Sequence, residues 1–179
     1  PDNPRPAWSD LSTARAFSNW GLYLARDSWR GDDSVLGFKC SPAGGRQLRQ
    51  GGHPYPGLGH AQPDANSFVL FARGEHLITH PGPCRLKRTA NHNTVLVNGM
   101  GQTGEGAEWF KGRAAFMRRS SADLLLAERT DVYDYIIGDA APAYNPDLIR
   151  DFTRQLFWLR PNLLFVFDHL GTKKPSKFQ

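Results

Sequence analysis

Phe152-Thr-Arg-Gln-Leu-Phe-Trp-Leu159, Arg160-Pro-Asn162 and Leu163-Leu-Phe-Val-Phe-Asp168 form the stretch that decides the fold. Two apolar, aromatic-rich runs flank three turn-forming residues, which is the clearest hairpin signal in the chain. Successive side chains of a strand point to opposite faces. In the first run Phe152, Leu156 and Trp158 therefore share one face with Arg154, while Thr153 and Gln155 share the other with Phe157 and Leu159. The second half of this strand is expected to be covered on both sides.

The same pattern repeats on the N-terminal side. Gly21 to Arg26 and Val35 to Lys39 flank the turn residues Gly31-Asp-Asp33, and Phe68 to Ala72 and His76 to Thr79 flank Arg73-Gly-Glu75. Thr94 to Val97 runs into Asn98-Gly99, and Ala114 to Arg118 and Leu124 to Arg129 read as further strands. Many short strands, Gly/Pro turns and almost no helical periodicity predict an all-β fold, an antiparallel β-sandwich. Residues 1–19 read as a lead-in with a short helical turn over Ser12 to Phe17, and the sandwich domain is expected over 20–179. The last residues, Thr172 to Gln179, read as a loop followed by the beginning of another strand, so a cut inside a larger domain is expected. The start lacks an initiator Met, a charged n-region and an apolar core, which points to a mature or excised chain.

Composition narrows the function classes. A chain of 179 residues suits one domain, and 40% hydrophobic with 22% charged residues is ordinary for a globular protein. No apolar run approaches the roughly 20 residues that span a bilayer as a helix. The net charge of +5 suits a polyanionic partner. The basic residues are scattered, however, over Arg46 and Arg49, Arg85, Lys87 and Arg88, and Arg113, Arg118 and Arg119. No nucleic-acid-binding signature accompanies them, so the choice lies between a solvated surface and a groove for an acidic glycan. Cys40 and Cys84 are the only cysteines, which excludes a zinc ribbon or a disulfide scaffold. Two free, packed thiols are expected, with mutual pairing open to an oxidising compartment.

Candidate chemistry concentrates in Gly59-His-Ala-Gln-Pro-Asp-Ala-Asn-Ser-Phe68, His80-Pro-Gly82 and His92-Asn-Thr-Val-Leu-Val97. Histidines, amides and a carboxylate stand at turns next to apolar runs that can hold them rigidly. Asp64 and Asn66, after Pro63, read as turn caps. His53, His76 and His169 lack motif support and read as structural or exposed. The loop Ser41 to Gly59 is long for a compact domain, which favours a functional loop. Gly99 to Gly106 superficially resembles a phosphate-binding loop but lacks the Lys-Ser/Thr and the following helix, so it reads as a flexible loop.

GHAQPDANSF, ARGEHLITHPGP and HNTVLVNGMGQ together resemble the C-terminal β-domain of heparinase II/III-like polysaccharide lyases, a group that includes oligo-alginate lyases and resembles dermatan sulfate epimerase. The resemblance covers most of the chain, from Gly21 to Asp168. It implies a sandwich that follows a large helical toroid, absent from this sequence, and eliminative cleavage of uronic-acid polysaccharides. Such cleavage requires neutralising the substrate carboxylate, removing the C5 proton and protonating the departing O4. His60 matches the histidine that the family presents to its cleft, as base or as charged partner of the carboxylate. A histidine hydrogen-bonded within the loop rim is the structural alternative. Gln62, His80 and His92 fall where relatives coordinate zinc or a similar ion. Gln is a weak ligand and the family's anionic Asp is missing, so a bare polar cluster bracing the cleft floor stands beside the metal reading. Gln102 is placed near the cleft as a sugar contact. The family's Tyr acid/base has no counterpart, and Tyr23, Tyr55, Tyr133, Tyr135 and Tyr144 are not put in its place. The implied partners are an acidic polysaccharide and the toroid, with no nucleic acid and no organic cofactor. The implied setting is secreted or periplasmic. A non-catalytic carbohydrate-binding sandwich and a uronate C5-epimerase are the alternatives.

Overall fold

The computed structural model describes residues 7–31, 33–47, 60–106 and 120–179. Nine strands are laid out in chain order: β1 (Ala14–Phe17), β2 (Leu22–Arg26), β3 (Val35–Lys39), β4 (Ser67–Ala72), β5 (Glu75–Ile78), β6 (Asp123–Arg129), β7 (Tyr133–Asp139), β8 (Asp151–Leu159) and β9 (Leu163–Gly171). They form two antiparallel meanders, β1-β2-β3-β4-β5 and β6-β7-β8-β9, packed as a sandwich. Regular helix among the described residues is limited to short turns, as the absence of helical periodicity predicts.

Cross-strand rungs build the core. In the first sheet Tyr23 lies opposite Phe38, and Phe38 opposite Phe68, while Ala25 faces Leu36 and Leu36 faces Leu70. In the second, Ile136 faces Leu156 and Trp158 faces Leu164. Along β8 burial alternates strictly, with Phe152, Arg154, Leu156 and Trp158 inward. This is the face read from the sequence, including its single charge. On the opposite face Phe157 is covered by aromatic neighbours, with ring centroids 5.0 Å from Tyr133, 6.1 Å from Tyr135 and 6.4 Å from Phe165. The expected double covering of this strand is met by side chains of its own sheet.

Three local readings are corrected. Ser12 to Phe17 is not a helical turn: Ala14–Phe17 pairs with β2 and begins the first sheet. The alternation Ala-Arg-Ala-Phe is too short to separate the two periods by pattern. Tyr133–Asp139, not read as a strand, is central in the second sheet, because Asp134 on its inward face breaks the apolar alternation. Thr94 to Val97 is irregular apart from single bridges of Val97 to Met100 and Phe178. The chain's last residues pair with this segment, Leu96 N–H donating to Gln179 O at 2.7 Å and Gln179 N–H to Leu96 O at 3.0 Å. The strand read at Ala114 to Arg118, most of the loop before Gly59, His53, Tyr55, Arg49, Arg113, Arg118 and Arg119 lie outside the described residues.

The two sheets approach closely beside Gly138. A Cβ there would stand 2.2 Å from Asn66 Oδ1 and 2.7 Å from Phe38 Cζ, so only glycine fits. Through this gap the Asn66 amide donates to the carbonyls of Gly138 at 3.2 Å and Phe152 at 3.3 Å. Asn66 has φ +57°, a left-handed conformation that asparagine tolerates better than most residues. Its side chain thus ties the sheets together instead of capping its own turn. Cys40 is buried, its thiol pushed up to about 12 by burial, and Cys84 is partly buried.

Candidate functional site

Three segments meet at one end of the first sheet. The segment from His60 to Asn66 leads into β4, the segment from Thr79 to Lys87 follows β5, and the third carries His92-Asn93-Thr94. Polar side chains stitch them together. Lys87, fully buried, donates from Nζ to the carbonyl of Ala61. Burial is the first cause lowering its pKa; Asp64 opposes the shift and Lys39 adds to it. Gln62 Nε2 reaches the carbonyl of Cys84 at 3.5 Å. Asn93 Nδ2 donates to Phe68 O at 2.9 Å and Thr79 O at 3.0 Å, and Thr94 Oγ1 donates to Ala65 O at 2.8 Å.

These anchors leave the predicted groups in distinct environments. His60 is exposed at the head of its segment, one residue before the carbonyl that Lys87 holds. His92 is buried, and among the described residues neither ring nitrogen has a hydrogen-bond partner. Burial lowers its pKa, Asp64 pulls the other way, and His80 and Lys39 reinforce the shift. The ring is therefore held neutral, the form that ligates metals. His80 is exposed, its Nδ1 accepts from the Gly82 N–H at 3.0 Å, and its ring centroid lies 5.3 Å from that of His92. Gln62 Oε1 is buried without a partner. Asp64, read as a turn cap, instead forms an ion pair with Lys39 at 2.5 Å.

Gln102, expected as a sugar contact, is only 2% exposed. Its Oε1 accepts from Ala65 N–H at 3.0 Å, and its Nε2 donates to Ala65 O at 2.9 Å and Tyr144 Oη at 3.3 Å. It completes the backbone hydrogen bonding of the segment that carries Gln62.

A cation bound by both histidines can be tested against this geometry. With about 2.0–2.1 Å from zinc to nitrogen in a tetrahedral site, two ring centroids should stand about 5 Å apart. The observed 5.3 Å is compatible with that spacing and His92 and Gln62 offer unpaired acceptors, but ligation by His80 would require its Nδ1 to release the Gly82 N–H. Among the described residues no group of three or more His, Cys, Asp or Glu side chains gathers as a metal site.

A depression of about 140 Å³ is bordered by Lys39, Asp64, Phe68 and His80. Ligand sites for organic molecules usually span about 300–1,000 Å³. Two larger hollows, of about 640 and 630 Å³, contain no residue of the three segments. The small depression touches the candidate segments, through Asp64 and His80.

Sequence reasoning missed Lys87, Asn93, Thr94 and Arg154 as supports of this site. Arg154 alone carried a signal, a charge on the apolar face of β8.

Comparison with known proteins places the fold. The chain is 33% identical over 69 residues to a heparin-sulfate lyase of Pedobacter heparinus, covering 38% of this chain and 8% of that protein. A mutant heparan sulfate lyase from Pedobacter heparinus superposes with a TM-score of 0.59 at 20% identity, over 89% of this chain and 22% of that one. A heparinase III structure superposes with a TM-score of 0.66 at 16% identity, over 93% of this chain and 23% of that one. The chain thus spans less than a quarter of the length of these solved relatives. At such identities the structural likeness speaks for the fold. Residues 10–179 match the sequence model described as "Heparinase II/III-like, C-terminal", and with the sandwich on which those residues lie, the chain belongs to that family.

Proposed function

We propose that this chain is the β-domain of a polysaccharide lyase that cleaves a uronic-acid-containing polysaccharide by β-elimination. The observation that carries the reading is His60: it is exposed on an anchored segment within a chain that matches the family from residue 10 to 179. In the reaction a base takes the C5 proton, the electron pair forms the C4–C5 double bond, and O4 departs and is protonated. His60 is assigned the imidazole function, accepting the C5 proton or, protonated, pairing with the substrate carboxylate. Proton transfer by a placed side chain is worth roughly 10²–10⁴-fold. The remaining catalytic groups are assigned to a helical toroid elsewhere in the full-length protein, so the domain alone is expected to be inactive.

His80, His92 and the Gln62 carbonyl oxygen are proposed to hold a zinc-like cation. When bound, that ion would join the three segments and add positive charge beside the cleft. The proposed partner is an acidic polysaccharide, and the proposed setting is secreted or periplasmic.

The test uses the full-length protein and a panel of uronans. Products should absorb in the ultraviolet band of a C4–C5 double bond, and His60→Ala should lower turnover by at least about 10²-fold while the protein stays folded. Full activity in folded His60→Ala would show the site to be misplaced. Inverted C5 configuration without ultraviolet absorbance would replace the lyase by an epimerase, and binding without turnover would leave a carbohydrate-binding domain.

A further inference from the structure

We infer that Arg154 is a positioning residue for the candidate site, holding two of its segments against the second sheet through the carbonyls of Asn66 and Asn93. The inference rests on the reading of that site given above. Arg154 belongs to β8, at a position where a sandwich normally buries an apolar residue, and is only 6% exposed. Its Nε and Nη2 donate to the two oxygens of Asp168 on β9, each at 2.7 Å. That fork fixes the guanidinium plane and neutralises its charge. Nη1 is left pointing across the sandwich, where it donates to Asn66 O at 2.6 Å and Asn93 O at 2.5 Å. The guanidinium carbon also lies 5.5 Å from the ring centroid of Phe68 and 5.6 Å from that of Phe152.

The two acceptors are placed to matter. Asn66 ends the segment that carries His60 and Gln62, and Asn93 directly follows His92. Both carbonyls lie just outside regular strands, so no ladder pairing with the second sheet sets their position. One planar group addresses both at once, and a lysine ammonium, a point donor, cannot reproduce the fork and both carbonyl bonds together. Arg154 thus couples the His60 segment to the His92 segment. Side chains that only fill the core, such as Leu156, do not.

The test compares Arg154→Lys with the parent in the full-length protein by hydrogen exchange and steady-state kinetics on the best uronan. Exchange should rise at least tenfold in peptides covering residues 61–67 and 89–97 and stay unchanged in β2 and β3. Turnover should fall at least tenfold with KM changed less than threefold. A uniform rise in exchange, or none, would reduce Arg154 to ordinary core support and overturn the inference. So would unchanged turnover despite faster exchange in the two segments. If Arg154→Lys does not fold, Asp168→Asn loosens the same fork from its more exposed end and is read by the same criteria. An inactive parent would sink the lyase reading alone, and the exchange pattern would still decide whether the clamp exists.

Discussion

Asp134 and His92 are both buried polar residues inside one sandwich, yet their surroundings are opposite. Asp134 is 0% exposed and every near neighbour answers it. Tyr23 Oη donates to it at 2.5 Å, Arg129 Nη1 at 3.1 and 3.4 Å, and Arg160 Nη1 completes the set. Arg129 is occupied in turn, donating from Nη2 to Thr13 Oγ1 at 2.8 Å and Arg26 O at 3.0 Å. Burial, followed by the hydrogen bond to Asp134, pushes the Tyr23 phenol well above its ordinary pKa, so it remains a donor. His92 has two ring nitrogens and, among the described residues, no partner for either, with Gln62 Oε1 in the same condition. Native proteins pair nearly all buried polar atoms, so the closed network reads as structure, and the unpaired atoms of His92 and Gln62 support the metal site proposed above.

That contrast can be broken by removing each centre in turn. Asp134→Ala leaves two arginines facing a desolvated gap and should lower the unfolding free energy by about 3–5 kcal/mol in urea denaturation. Bound metal should be unchanged. A loss under about 1 kcal/mol would mean that water enters and the network is not closed. Next in size, His92→Ala should abolish a near-stoichiometric metal, weakening binding by more than about 100-fold, since even outer partners of metal ligands are worth about 10–100-fold. Elemental analysis and titration with zinc would check this. Parent protein purified without chelator that holds no metal, and whose stability is indifferent to chelator, would return the site to a bare polar cluster. The smallest effect is expected for Tyr23→Phe, which removes one donor from a carboxylate that keeps two arginines. About 1–2 kcal/mol of stability should go, with metal content and activity unaffected. A change in activity there would show that the two regions are coupled and that their separation is wrong.

Most of the architecture was legible because strand periodicity and turn chemistry are local. Val35–Lys39 was read to the residue, and the Arg160-Pro161-Asn162 hairpin stands where it was expected. Tyr133–Asp139 escaped because its inward Asp134 looks like a surface residue until Tyr23, Arg129 and Arg160 are brought around it. The candidate positions His60, Gln62, His80 and His92 stand out in the sequence through their motifs. Their states were not. Burial separates exposed His60 from desolvated His92, and burial depends on strands far away in the chain. Gln102 shows the same limit, since its amide is consumed by Ala65 and Tyr144, residues 37 and 42 positions away.

By itself, then, the sequence determined the all-β class, most strand positions, the family and the residues worth testing, all properties of local alternation and short motifs. Only the tertiary structure decided which polar groups are satisfied. It assigned Asn66 and Arg154 the bonds between sheet and loop, closed the network around Asp134 and left His92 and Gln62 open. Hydrogen-bond satisfaction is a matter of what lies within about 3 Å in space, and chain order does not contain that distance.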